Sequence, residues 1–270
     1  MNTRRPAGYS HPMTRNRILR AARPALLAVL FLPGCAVFRR EVPLTPEQAY
    51  QRGMAAYAEG NFGRAADLLG RWVQANPAGD PRMPAALLAL GRAHLETEEF
   101  ITAGSEFLRV VTDYPQSPEQ TPARFGLCQA YHGMAPRAQL DQQYTHVAIT
   151  YCQSYSEYYG ATPQADTARQ WVAGMRERLA EKAYLNGMFY FRRGAYDASV
   201  IYFNEAAALY PETKWAPASL LKVVHAYERV GYREEAEEAR QQLRSRFPES
   251  AEARGLAAPA PATASASPTP

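Results

Sequence analysis

Residues 187–211 read GMFYFRRGAYDASVIYFNEAAALYP, and their pattern predicts the unit from which the fold is built. Apolar residues recur at helical spacing on both sides of Gly194, and Pro211 follows the second apolar segment. A proline just past a helix is typical, because it cannot continue the helix and biases the residue before it away from the α region. Gly187 and Ser199 are small residues on the two segments. The stretch therefore predicts two antiparallel helices that cross closely.

The same frame recurs along the chain, which is the signature of a repeat protein. Its elements are Gly60-Asn61-Phe62 with Ala65, Leu69 and Pro77; Phe100 with Ala103, Phe107 and Pro115; and Gly231 with Ala236 and Pro248. Twelve residues before the alanine or serine of each frame stands a glycine, at positions 53, 91 and 187; the last frame has Val224 there instead. The closing prolines lie at positions 77, 115, 163, 211 and 248. We predict an all-α, tetratricopeptide-like superhelix of about five antiparallel helix pairs.

The central repeats and the chain's end depart from the regular frame. We predict an extended loop of the third pair from Pro136 to Leu140, with Asp141 as the N-cap of the next helix. Residues 162–193 are predicted as one long helix or as two helices that nearly join. After Arg254 the chain is uncharged and rich in Ala and Pro, a composition that cannot bury enough surface to order itself. We therefore predict a repeat domain over 45–250 and a disordered tail over 251–270.

The N-terminus reads as a secretion signal over 1–34, followed by a lipid-anchored linker over 35–44. Basic residues precede an apolar run from Ala25 to Leu32 that is too short to span a bilayer of about 30 Å. Leu32-Pro33-Gly34-Cys35 resembles the lipobox of bacterial lipoproteins, although Pro33 stands where a small or β-branched residue is usual. The resemblance implies that Cys35 is acylated, and Ala36 after it favours the outer membrane. Met13 is an alternative start.

Charge and motif patterns exclude several functions. The first 34 residues hold six arginines and no acidic residue. The rest of the chain therefore has 24 basic and 26 acidic residues. Nucleic-acid binding needs a clustered surplus of Lys and Arg, so no nucleic-acid partner is predicted. The five histidines have no metal-binding spacing, and neither a nucleophile elbow nor a phosphate-binding loop is present. We predict a non-enzyme without catalytic residues, metal or cofactor.

Cysteine and tyrosine leave alternatives open. Cys128 and Cys152 are either a disulfide formed in an oxidising periplasm or two half-buried thiols on neighbouring helices. The chain has 17 tyrosines, a residue that is enriched in protein interfaces. Most are expected in the repeat core, where aromatic residues are routine. A group on one helix (Tyr151, Tyr155, Tyr158 and Tyr159) and a group through the fourth pair (Tyr184, Tyr190, Tyr196, Tyr202 and Tyr210) are the candidates for binding.

Several segments over residues 32–250 resemble the BamD family, lipoproteins of the outer-membrane β-barrel assembly machinery. They are the lipobox, Tyr50 and Tyr57 before Gly60-Asn61-Phe62, Tyr114-Pro115-Gln116-Ser117, Leu140-Asp141-Gln142 after the third-pair loop, and Phe189-Tyr190-Phe191-Arg192-Arg193-Gly194-Ala195-Tyr196. The resemblance implies a five-repeat protein on the periplasmic face of the outer membrane. Its C-terminal repeats would bind POTRA domains of the barrel protein BamA, and its N-terminal repeats would receive the aromatic C-terminal signal of unfolded barrel proteins.

The resemblance also implies where the partners bind. Arg192, Arg193, Tyr196 and Tyr202 would lie on the side of the barrel-assembly protein, and Tyr50 and Tyr57 on the side of the unfolded substrate. Many family members have Asn-Arg where this chain has Ile201-Tyr202, so the salt bridge expected at that position is missing. The alternative function is a tetratricopeptide lipoprotein adaptor in another envelope complex, such as cell-wall or polysaccharide machinery.

Overall fold

The computed structural model describes residues 44–256, and all regular structure in that range is helical. Helices follow one another as antiparallel neighbours, each packed on the next, which confirms the prediction of an all-α stack of helix pairs. Within the described range they are α1 (Pro46–Ala58), α2 (Phe62–Ala75), α3 (Met83–Glu96), α4 (Phe100–Asp113), α5 (Gln120–Met134), α6 (Gln143–Tyr158), α7 (Pro163–Arg192), α8 (Tyr196–Leu209), α9 (Trp215–Val230), α10 (Arg233–Arg246) and α11 (Ala251–Gly255).

Two layers result from this order. Each odd-numbered helix also contacts the next odd-numbered one, from α1 to α11, whereas the even-numbered helices contact only their chain neighbours. The odd-numbered helices therefore form the crowded inner layer of a superhelix, and the even-numbered helices spread over its outer side. None of the described helices combines the length and the apolar composition that crossing a membrane requires.

Close helix crossing depends on glycine at the predicted positions. In three repeats a glycine of the inner helix faces a large apolar side chain of the outer helix at the same sequence offset. A Cβ atom at the glycine would lie under 3 Å from that side chain, a distance at which one of the two must move. The pairs are Gly53 with Leu69, Gly91 with Phe107 and Gly187 with Phe203.

Left-handed turns separate the two helices of a pair. Gly60, Gly194 and Gly231 have φ values of 76°, 76° and 95°, a region that glycine enters without the Cβ clash of other residues. In the second pair Glu98 takes this position with φ 60°. One turn of the fold is therefore built at a conformational cost that the others avoid.

The third-pair loop, residues 135–142, is held together by a glutamine. Gln142 is buried, and its amide donates to the carbonyls of Arg137 and Leu140 while its oxygen accepts from the Thr145 hydroxyl. Asp141 was expected as the N-cap, but Gln142 occupies that position; the Asp141 carboxylate instead accepts the amide of Gln143, the first residue of α6. The N-cap therefore lies one residue later than predicted, and α6 begins at Gln143.

Two further open points are resolved by the structure. Residues Pro163–Arg192 form a single helix, α7, so the alternative of two nearly joined helices is wrong. Cys128 of α5 and Cys152 of α6 are fully buried and form a disulfide, with their Cα atoms 4.7 Å apart. Helices α5 and α6 are therefore covalently joined.

Helical structure extends past the predicted end of the repeat domain. Ala251–Gly255, expected as the first part of the tail, form α11, and the Ser250 side chain accepts the Ala253 amide at its start. Ala253 and Leu256 pack against Leu220 and Leu243. This apolar contact orders residues that composition alone assigned to the tail.

Candidate protein-binding surfaces

Two basic side chains of α7 fix the third-pair loop on that helix. Arg178 donates to the carbonyls of Ala135 and Pro136, at 3.0 and 2.9 Å, and Lys182 donates to the carbonyl of Leu140. The carbonyls of Ala135 and Pro136 thus gain a partner on α7, and the Leu140 carbonyl accepts from Lys182 as well as from Gln142. The length of α7 thus has a structural use, because its middle section supports the loop.

A cavity of about 370 Å³, which we call the loop pocket, opens between this loop and α7. Its walls come from Ala138 and Gln139 of the loop, from Tyr202 of α8, and from one side of α7 that includes Leu185, Phe189 and Tyr190. The rings of Tyr190 and Tyr202 are stacked, with centroids 5.3 Å apart and planes inclined by 5°. None of the lining residues carries a carboxylate. The pocket is therefore aromatic, with Lys182 as its charged member.

Large apolar side chains are exposed at and near the loop pocket. Leu140, Phe189 and Ile201 expose 50%, 49% and 67% of their surface. The Arg193 guanidinium lies over the Phe189 ring, 3.6 Å from its centroid. Exposed apolar surface close to a pocket is typical of protein-interaction sites. This surface can bury an apolar side chain of a partner and place a cation beside it.

A second concave surface, the tyrosine groove, lies between α4, α5 and α6 and encloses about 190 Å³. Four tyrosines of α6 and its end line it, together with Leu108, Leu127 and Arg124; the tyrosines are Tyr151, Tyr155, Tyr158 and Tyr159. Tyr158 exposes 81% of its surface. The sequence had singled out these four tyrosines as lying on one or two adjacent faces of a helix, and the structure places all of them in one groove.

The wall of the tyrosine groove is fixed from behind. The ring of Tyr155 is tilted on Phe125, with centroids 5.2 Å apart, and burial raises the pKa of Tyr155. The Tyr159 hydroxyl lies 3.2 Å from the hydroxyl of Thr121. The Cys128–Cys152 disulfide joins the two walls, because each cysteine directly follows a lining residue, Leu127 on α5 and Tyr151 on α6. The groove is thus held by buried and covalent contacts, while its rim stays open.

Tyr50 and Tyr57, the residues expected on the substrate side, pack into the first repeats. Tyr50 lies against Trp72 at 4.9 Å, and the Arg82 guanidinium covers both rings, at 5.0 and 5.2 Å. Arg82 is held by ion pairs to Asp80 and Glu47, and hydrogen bonds from its guanidinium lower the pKa of Asp80. Tyr57 makes an edge contact with Phe62. Both tyrosines are only partly buried, but their rings contact the core.

The expected C-terminal residues have different environments. Tyr202 lines the loop pocket, and Arg193 lies over Phe189 of its wall. Arg192 is exposed. Burial raises the pKa of Tyr184, and the positive charge of Arg192 opposes part of that rise. Tyr196 packs by its edge on Phe191, with centroids 5.2 Å apart. The structure therefore brings Arg193 and Tyr202 to one surface and places Tyr196 in a supporting contact.

Phe189 and Arg124 were not predicted as binding residues. Phe189 occurs in an aromatic run of the sequence, so a local signal existed for it. Arg124 had none, because only the packing of α5 beside α6 shows that it lines the groove. Cys35, the predicted lipidation site, lies outside the described residues. In the described part of the chain, no three His, Cys, Asp or Glu side chains are grouped so that they could hold a metal.

The fold and the two surfaces place the chain in the class of helical-repeat proteins with open aromatic surfaces. Residues 43–243 match the family YfiO, described as an outer membrane lipoprotein. The chain belongs to this family. The resemblance to BamD proteins is confirmed by two relatives that carry the name outer membrane protein assembly factor BamD.

The relatives match most of the chain at low identity. The protein of Caulobacter vibrioides is 24% identical over 229 residues, which are 83% of this chain and 75% of the relative. The protein of Vibrio cholerae is 25% identical over 234 residues, which are 80% of this chain and 94% of the relative. Among solved structures, the match to MamA covers 80% of this chain and 98% of the MamA chain, with 17% identity and a TM-score of 0.34. The match to a tetratricopeptide protein of Thermus thermophilus covers 78% of this chain and 95% of that protein, with 19% identity and a TM-score of 0.34.

Proposed function

We propose that this chain is a scaffold lipoprotein of the outer-membrane protein assembly complex, without catalytic activity of its own. In this proposal lipid on Cys35 holds it at the periplasmic face of the outer membrane. Its C-terminal repeats bind the POTRA domains of a barrel-assembly protein, and other repeats bind unfolded outer-membrane proteins. Family membership and the names of the two relatives support the assembly role. The lipobox-like Cys35 supports the anchor.

The loop pocket is the observation that supports partner binding by the C-terminal repeats. It combines a cavity, a stacked tyrosine pair and an exposed phenylalanine on a surface without carboxylates. Binding energy in protein interfaces is concentrated in aromatic and arginine side chains near a pocket. Phe189, Tyr202 and Arg193 meet that description.

The contact that we propose at Tyr202 is apolar. Tyr202 is stacked on Tyr190, and the neighbouring Ile201 is exposed. A neutral aromatic pair gains little from an opposing carboxylate but much from burial of an apolar side chain. The partner surface should therefore present an aliphatic or aromatic side chain to the pocket, with any acidic group beside Arg193.

A pull-down from membrane extract of the source organism tests the assembly role. The tagged, lipidated chain is compared with Phe189→Ala, Tyr202→Ala and the matched control Tyr158→Ala, which lies in the other surface. The chain and the control should recover a stoichiometric β-barrel protein with periplasmic repeat domains, and the two pocket variants at least tenfold less. Recovery of only cell-wall, polysaccharide or export components would refute the assembly role and favour an adaptor of another envelope complex.

Membrane attachment is tested separately with Cys35→Ser. The variant should lose labelling by radioactive palmitate and leave the membrane fraction, because three acyl chains anchor a protein far more firmly than protein contacts at a surface. Retention of the label in Cys35→Ser would show that another residue is modified.

A further inference from the structure

We propose that a protein dithiol oxidase of the periplasm forms the Cys128–Cys152 bond, and that it acts while α5, α6 and α7 are not yet packed together. Such an oxidase carries a reactive disulfide between two cysteines of its own. The chain is then a substrate of that oxidase before it can serve as a scaffold. The inference rests on the proposed function in one respect, because it takes the periplasmic location from it.

Both sulfur atoms are out of reach in the folded chain. Cys128 and Cys152 are fully buried. They belong to one apolar cluster with Ala165, Ala168 and Met175 of α7, which are buried to the same degree. Disulfide exchange needs direct attack of a thiolate on a sulfur atom, so its rate depends on access. The bond therefore forms on a chain in which α7 does not yet cover α5 and α6.

The time available before burial favours a catalyst. Helical proteins with mostly local contacts fold in about microseconds to milliseconds, and α5, α6 and α7 each pack on their neighbours along the chain. Uncatalysed disulfide formation takes roughly seconds to hours. The helices would bury both thiols long before dissolved oxygen or a small disulfide oxidised them. A protein oxidase that meets the chain as it enters the periplasm removes this difference in rate.

The reaction consists of two successive thiol–disulfide exchanges. The thiolate of one chain cysteine attacks a sulfur of the oxidase disulfide, which breaks; a mixed disulfide forms, and the second oxidase sulfur leaves as a thiolate. The thiolate of the other chain cysteine then attacks the chain sulfur of the mixed disulfide. This forms the Cys128–Cys152 bond and releases the first oxidase sulfur. Two electrons pass from the chain to the oxidase, and the protons lost by the two chain thiols end on the oxidase thiols.

Lipid on Cys35 would leave a single possible product. The sequence has three cysteines, and acylation converts the Cys35 sulfur to a thioether, which cannot exchange with a disulfide. Cys128 and Cys152 are then the two thiols of the sequence that remain. The oxidase step itself does not need the lipid, so Cys35→Ser should form the same bond.

Cells with and without the periplasmic oxidase test the dependence. The tagged chain is recovered in acid, its free thiols are alkylated with a maleimide, and the labelled peptides are identified by mass. Cys128 and Cys152 should be unlabelled when the oxidase is present and labelled in most molecules when it is absent. The amount of chain should fall with the oxidase, because unpaired thiols leave the repeat less stable. Pairing to the same extent in both strains would overturn the proposal.

The matched control is the double variant Cys128→Ala, Cys152→Ala, which has nothing for the oxidase to join. Its amount should be lower than that of the parent chain and the same in both strains. If the amount of this variant also fell without the oxidase, the loss would come from another oxidase substrate, and the proposal would lose its support.

A trapping variant of the oxidase tests the direct contact. Replacing the second cysteine of its reactive pair by alanine slows release of the mixed disulfide. This oxidase should form a reductant-sensitive covalent complex with the parent chain and with Cys35→Ser, and absence of both complexes would overturn the proposal. A complex with the double-alanine variant would show that Cys35 is a free thiol. That result would contradict the proposed lipid anchor and leave the oxidase step intact.

The purified, oxidised chain tests the order of oxidation and packing. Dithiothreitol in native buffer should reduce the bond at least about a hundredfold more slowly than in urea that unfolds the chain, since access requires the helices to separate. Reduction is followed by alkylation and mass measurement. Equal rates in buffer and in urea would show that the sulfur atoms are accessible in the folded chain, and would overturn the proposed order.

Discussion

Two glycines of α7 give a test of how closely the helices cross. Gly187 is buried, and a Cβ there would lie 2.6 Å from two atoms of the Phe203 ring. Gly174 lies on the same helix with nothing within 4 Å of a Cβ position. Replacing each by alanine adds the same methyl group to the same helix. The two substitutions therefore differ only in whether the methyl group meets a packed ring.

The expected difference follows from two opposing effects. Alanine is favoured over glycine inside a helix by about 1 kcal/mol, and both variants gain this. Gly187→Ala must also displace Phe203, which is fully buried and has Tyr184 at 5.6 Å and Phe191 at 6.4 Å. Overpacking of this kind costs about 1–3 kcal/mol, and we expect the upper end, because the ring has little room. Gly174→Ala should thus be more stable than Gly187→Ala by about 3 kcal/mol.

Chemical and thermal unfolding followed by circular dichroism at 222 nm measures both variants. For a domain of this size the difference should appear as a separation of roughly 6–12 °C in Tm, with Gly174→Ala above the parent chain and Gly187→Ala below it. If Gly187→Ala is as stable as Gly174→Ala, Phe203 can move aside and close crossing at this glycine does not limit the packing.

A strained turn, the disulfide and a half-buried histidine provide three smaller tests. Glu98→Gly should raise the free energy of unfolding by about 0.5–1 kcal/mol, since Glu98 has φ 60°; Gly60→Ala should lower it, and a loss in Glu98→Gly would contradict the reasoning. Replacing Cys128 and Cys152 by alanine should cost about 3 kcal/mol, because the bond closes a loop of 24 residues; an unchanged urea midpoint against the oxidised chain would refute this. Burial lowers the pKa of His132 from its ordinary 6.5, so the unfolded chain binds more protons and stability should fall as pH drops below 6.5. His132→Phe should make that decline shallower in urea titrations at several pH values, and an identical slope would exclude a contribution from His132.

Repeat spacing predicted the helix pairs because the same residue types recur at the same positions wherever two helices cross. A small residue, a large apolar residue and a closing proline suffice to predict where two helices cross, and Gly187 with Phe203 is such a pair. The exposure of Tyr50 does not follow from this pattern. It depends on Arg82, which comes from the connection before α3 and is held in place by Asp80 and Glu47. Contacts between distant parts of the chain leave no periodic signal.

The third-pair loop explains why the two candidate surfaces could not be predicted together. The loop closes through Gln142 and is fixed on α7 by Arg178 and Lys182, so it forms one wall of the loop pocket. The same loop connects α5 to α6 and so limits how these helices can align, as does the buried Cys128–Cys152 bond. That alignment places Arg124 of α5 among the tyrosines of α6. Tyrosine spacing alone predicted one or two adjacent helix faces. The groove with its single cation depends also on the loop, the disulfide and the α5–α6 alignment, which the spacing does not show.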